Sequence, residues 1–147
     1  TRVGTHNMND ETCICIDVRT AAQRLTAIYD QAMASSGVSV NQFSLLHLIY
    51  SLEGPTLKGL ASASGLDRST LGRNMRVMEK LGFVTMHIGD DARVRNVRMT
   101  PKGKGAFKLA VPLWREVQSS LAKKIGPAQR AQFKQTLQIL TSSATTA

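Results

Sequence analysis

Acidic side chains are scarce in this chain. Ten Asp and Glu stand against nineteen Lys and Arg, giving a formal net charge of +9, and the excess favours a polyanionic partner. Cysteine is scarcer still, with two in 147 residues. Disulfide or metal staples therefore do not hold this fold together, and the length suffices for one domain with a core that needs none. Cys13 and Cys15 form a Cys-x-Cys pair, and His6, His47 and His87 add isolated nitrogen donors. No second ligand cluster has metal spacing, so neither metal nor cofactor is expected. Long apolar runs are absent too. Hydrophobic residues make up 42% of the chain, yet no stretch approaches the roughly 18 a membrane span requires. A nucleotide-binding loop, paired carboxylates and a Ser-His-Asp arrangement are all missing, which argues against an enzyme. With no secretory signal or transit peptide visible, the chain reads as cytoplasmic. Residues 1–7 carry no periodicity and are left out of the fold argument; the tail 141–147, rich in Ser, Thr and Ala, is expected to fray.

What is present is concentrated between Leu60 and Asn74. That stretch reads as two short helices joined by a glycine turn, a helix-turn-helix that places its second helix in a DNA major groove. Ala61 is small where the helices cross. Gly65 stands where the first helix ends in a left-handed conformation. Leu66 and Leu71 are apolar where the second helix docks, and Asp67 is its N-cap. The outward positions are Arg68, Ser69, Thr70, Gly72, Arg73 and Arg76, types that pair with phosphates and base edges, with no acid among them.

A glycine stop at Gly82 and a strand pattern to Ile88 follow. A polar tip, Gly89 to Arg93, leads into a second strand pattern from Val94 to Met99. Val94 and Val97 have opposite parity, so either a bulge or an early turn is expected. A hairpin here is the wing of a winged helix. Arg93 at its tip, with Arg95 and Arg98 on the return strand, suits a minor groove or the neighbouring backbone.

Helices are expected on both sides of this lobe: 14–35, 40–52 capped by Ser39 or Asn41, 57–64 capped by Thr56, 101–124 starting at Thr100-Pro101 with a kink at Pro112, and 128–140. The fold class is mainly α with a small β-hairpin wing. A winged helix-turn-helix lobe spans 38–100, and the flanking helices 14–36 and 101–141 form a dimerisation region within a single domain. Their apolar stripes exceed what the small lobe can cover, and a second copy of the chain would bury them. The resulting homodimer matches a palindromic operator in double-stranded DNA.

The chain resembles the multiple antibiotic resistance regulator (MarR) family of bacterial transcription factors. The likeness runs from about Cys15 to Leu140. Its most specific parts are the run from Ser69 to Val84 and the wing, where Asp91 and Arg93 match the family's Asp-x-Arg. Thr100 and Gly103 match Leu-Thr-x-x-Gly, with Met99 in place of Leu. The resemblance implies that Arg93 enters the minor groove and that Asp91 orients backbone-contacting arginines. It also implies that Arg68, Ser69, Thr70, Arg73 and Asn74 contact DNA; Arg76 and Arg95 join them from their outward places on the second helix and the wing. Gly72 stands where many relatives have Thr or Ser, and Gly59 replaces a frequent Glu, so a capping box with Thr56 is lost. The family's regulators are usually repressors released by small molecules or by thiol oxidation.

Two sensing readings stay open. Tyr29, Met33, Phe43, Tyr50 and Trp114 are candidates to line an inducer pocket, though at helical spacing they also fit plain core. Cys13 and Cys15 are candidates for a redox switch, with Arg19 one turn beyond, or are small apolar residues buried in a dimer interface. A disulfide between them is not expected within a regular helix. The function expected is a DNA-binding repressor released by a small-molecule ligand. A thiol-sensing repressor of the same fold is the alternative, and a winged-helix protein-interaction module is the alternative from another class.

Overall fold

A computed structural model describes residues 12–142. In chain order it contains α1 (Ile14–Met33), α2 (Val40–Ser51), α3 (Leu57–Ser64), α4 (Arg68–Lys80), β1 (Val84–Ile88), β2 (Arg95–Met99), α5 (Pro101–Ile125) and α6 (Pro127–Thr141). Most helix starts have a side-chain cause. Ser39 accepts from the Gln42 N–H while Gln42 reaches back to the Ser39 N–H, a full capping box that decides for Ser39 over Asn41. Thr56 caps α3 through the Gly59 N–H, Asp67 caps α4 through the Thr70 N–H, and Thr100 caps α5 through the Gly103 N–H. α1 ends at Met33, earlier than its periodicity implies, because the chain tightens into a 3-10 turn over Ala34–Ser36. α5 runs through Pro112 without ending. Thr141, expected in a frayed tail, instead closes α6 with its hydroxyl donating to the Leu137 carbonyl. Residues 1–7, His6 among them, and 143–147 lie outside the described residues.

The core lies where α2, α3, α4 and the hairpin meet under α5. Leu46, Leu60, Leu71, Met75, Met78 and Val97 are almost wholly buried there, each contributing roughly 1.5–3 kcal/mol of apolar burial. On α4 the buried set is Leu71, Met75 and Met78, a spacing of four and three that fixes which face of the helix turns inward. Gly65, at φ 72°, turns the chain between α3 and α4 and donates its N–H to the Ala61 carbonyl. α5 packs on α1 and α2 and so joins the lobe to the flanking helices.

The hairpin is antiparallel, with Val84 opposite Met99 and Ile88 opposite Arg95. It carries no bulge. The parity conflict is settled by an early turn: Val94 lies outside β2, its N–H donating to the Asp91 carbonyl. The segment before α3 is stitched to β2, for Thr56 bridges Asn96 and the Val97 N–H donates to the Pro55 carbonyl at 2.9 Å. Asn96 adds a side-chain bond to the Gly54 carbonyl.

The outer helices are different in character. The stripe expected on α1 (Val18, Leu25, Ile28) is exposed, as are Ile14 and Ile16, and so are Phe133, Ile139 and Leu140 on α6. One copy of the chain leaves these faces uncovered. Among the described residues, no helix is long and apolar enough to cross a membrane.

Candidate nucleic-acid interface

The outward face of α4 is organised by one carboxylate. Asp67 accepts the Thr70 N–H and the Ser69 hydroxyl on Oδ1 and the Thr70 hydroxyl on Oδ2, at 2.8, 2.9 and 3.0 Å. The backbone bond first, then the two hydroxyls, hold its carboxyl below the ordinary Asp value, and Arg73 adds to the effect. Arg73 also donates from Nη2 to the Thr70 hydroxyl at 3.3 Å. Arg68, Ser69, Arg73 and Arg76 are exposed, whereas Thr70, Gly72 and Asn74 are half-buried. A Cβ at Gly72 would meet nothing within 4 Å. The gap is thus open space on the outer face, not a packing requirement.

The wing supplies a second cationic edge. Arg93 at the tip is 92% exposed in its side chain and lies 3.5 Å from Asp91 through Nε. Asp91 also accepts the Arg93 backbone N–H. A pair this exposed adds little stability, but the two bonds restrict where Arg93 projects. Between wing and α4 opens a cleft of about 530 Å3, lined by Thr56, Leu57, Lys58, Arg68, Leu71, Gly72, Arg93, Val94 and Arg95. Four cations therefore surround a partly apolar floor, an arrangement able to neutralise backbone phosphates. Sequence pattern does not single out Lys58 as a site residue. Its nearness to Arg93 depends on the Thr56–Asn96 bridge, a contact 40 residues apart that local pattern does not reveal. Arg98, expected to share the wing's cationic edge with Arg95, does not. Strand alternation puts it on the other face of the hairpin, opposite Thr85.

The remaining candidates lie away from this interface. Met33 and Phe43 are buried in the core, and Trp114 stacks on Phe43 at 5.4 Å between centroids. Tyr50 is 66% exposed yet stacks on Phe107. The Tyr29 hydroxyl donates to Gln118 on α5 at 2.6 Å, and burial raises its pKa. Met33 and Phe43 are thus core, whereas Tyr29 and Tyr50 meet α5 at separate points, Gln118 and Phe107. Sequence reasoning misses Asp30: its carboxylate accepts the Val40 N–H at 2.7 Å and so links α1 to the start of α2. Cys13 is the extended residue before α1 and Cys15 lies in its first turn, both exposed in this chain. Cys13 is therefore outside the regular helix that argued against a bond between the two.

The sequence model of the MarR family matches residues 38–94, the stretch from α2 to the wing tip. The transcriptional regulator MosR of M. tuberculosis, solved in complex with DNA, is 37% identical over 89% of this chain and 100% of its own, with a TM-score of 0.75. The chain belongs to the MarR family. Its fold recurs in more distant structures. A cysteine-to-serine mutant of E. coli MarR, complexed with operator DNA, is 17% identical over 92% of this chain and 99% of its own, at TM-score 0.81. Bordetella bronchiseptica BpsR, described for regulation of its DNA binding by 6-hydroxynicotinic acid, is 21% identical over 94% of this chain and 97% of its own, at TM-score 0.79. No curated protein sequence matches. In this MarR-family chain, the α4 face and the wing tip lie within the stretch that the family model covers.

Proposed function

We propose that this chain is a homodimeric transcriptional repressor that reads a palindromic operator in double-stranded DNA. The observation that carries the reading is the cationic frame of Lys58, Arg68, Arg93 and Arg95 around the cleft between α4 and the wing. Arg68, Ser69, Thr70, Arg73 and Asn74 face the major groove, Lys58, Arg76 and Arg95 meet phosphates, and Arg93, beside Asp91 at the wing tip, enters the minor groove. The exposed apolar faces of α1 and α6 pair with a second copy, so 38–100 is the DNA-reading lobe and 14–36 with 101–141 the dimerisation region. MosR in its DNA complex supports the partner. BpsR, whose DNA binding responds to 6-hydroxynicotinic acid, supports release by a small ligand. That ligand sits beside Tyr29, Met33, Phe43, Tyr50 and Trp114 and favours an arrangement of the two lobes that no longer matches successive grooves.

Exposure of Cys13 and Cys15 at the start of α1 favours a second reading, release by thiol oxidation. Pull-down of sheared genomic DNA by the purified protein, with and without mild peroxide, tests both. A palindromic site recovered only without peroxide supports thiol control, and recovery unchanged by peroxide supports the ligand. Release that persists in a Cys13→Ala, Cys15→Ala double variant ends the thiol reading. Binding that is salt-sensitive but sequence-independent overturns operator recognition itself.

A further inference from the structure

We propose that Asp67 fixes the hydrogen-bond polarity of the recognition helix, making Ser69 an acceptor that selects an exocyclic amino group on one operator strand. The inference rests on the DNA-reading function above and concerns a residue within that interface.

An ionised carboxylate can only accept hydrogen bonds. Ser69 and Thr70 both reach Asp67, at 2.9 and 3.0 Å, so each hydroxyl has committed its one proton to it. The Thr70 oxygen is further occupied by Arg73 Nη2, and Thr70 is half-buried. Ser69 is exposed at the second position of α4 and turns only lone pairs outward. In the major groove the amino groups of cytosine and adenine donate, while guanine offers N7 and O6 and thymine offers O4, all acceptors. An acceptor-only Ser69 therefore pairs with cytosine or adenine and meets guanine or thymine lone pair to lone pair. Asp67 also occupies the Thr70 amide that a phosphate would take, and its charge repels phosphate, so this end of α4 faces bases. Arg68 and Arg73 on the same helix offset the acid's repulsion from the DNA.

The test is selection of binding sites from random duplexes by the parent protein, Ser69→Ala and Asp67→Gly. Gly is tolerated at a helix N-cap almost as well as Asp and carries no side-chain acceptor, so the Ser69 proton is free to point outward. The parent should show one half-site position restricted to cytosine or adenine, a preference of about tenfold that Ser69→Ala abolishes. Asp67→Gly should open the same position to guanine or thymine. A readout independent of Asp67→Gly replaces the selected base by its analogue without the amino group, 2-pyrimidinone for cytosine or purine for adenine. Parent binding should fall about tenfold and Ser69→Ala binding should not change. An unchanged logo in either variant, or equal losses on the analogue, overturns the polarity assignment while leaving operator binding intact. A parent that selects no sequence instead overturns the DNA-reading function, and this inference with it.

Discussion

Among the described glycines, Gly103 has the least room for a side chain. A Cβ there would lie 2.1 Å from the Phe83 carbonyl oxygen and 2.9 Å from Met99 Cγ, so α5 would have to leave the hairpin. Gly103→Ala is therefore expected to cost about 3 kcal/mol, read as a lowered urea midpoint; an unshifted midpoint would refute the collision. The glycine is legible in the sequence as part of a motif, but its cause is not, because the obstacle, Phe83, lies 20 positions earlier in the chain. Asp67 is legible as a cap from its place before Arg68, whereas its hold on two hydroxyls emerges only in three dimensions. The lowered carboxyl pKa of Asp67 has a sign. Its contribution is complete above the ordinary value of 3.8 and disappears as pH falls below that through the folded-state value. The melting difference between the parent and Asp67→Ala should accordingly shrink on acidification below that value. A difference that stays constant in acid would mean the carboxylate's charge is not what stabilises α4.

Element boundaries are largely legible because the caps are local: Ser39, Thr56, Asp67 and Thr100 each act on an amide three residues ahead. The links between elements are not. Asp30 reaches Val40, Tyr29 reaches Gln118 and Pro55 reaches Val97, and no periodicity encodes such pairs. The wing illustrates both cases. Its strands follow from sequence, while the place of Arg98 on the far face follows only from the register. Arg93, exposed and tied to Asp91, makes a clean probe of the wing. Arg93→Ala should leave the melting temperature unchanged and weaken binding to all duplexes. The slope of log affinity against log salt should fall by about one. An unaltered slope would remove Arg93 from the phosphate contacts. Asp30→Ala should cost about 1 kcal/mol, as loss of a helix N-terminal partner does. Amide exchange should then quicken at the start of α2, and no change there would show that the Ser39 capping box suffices.

At the scale of the molecule, the outer helices carry many of the exposed apolar residues. Phe133 is 55% and Ile139 63% exposed on α6, and Ile14 is 59% exposed on α1. In the proposed dimer these faces are covered, so melting temperature should rise with protein concentration. Phe133→Glu should weaken association by at least about tenfold, as followed by sedimentation. A variant that sediments with the parent at every concentration would take α6 out of the interface. The stitching of Pro55 and Thr56 to β2 has a consequence at this scale. It makes helix and wing the two jaws of a fixed caliper, whose opening no signal needs to adjust. In the proposed dimer, a releasing signal then acts on the distance between two calipers, and the operator becomes a gauge block that either fits both at once or fits neither.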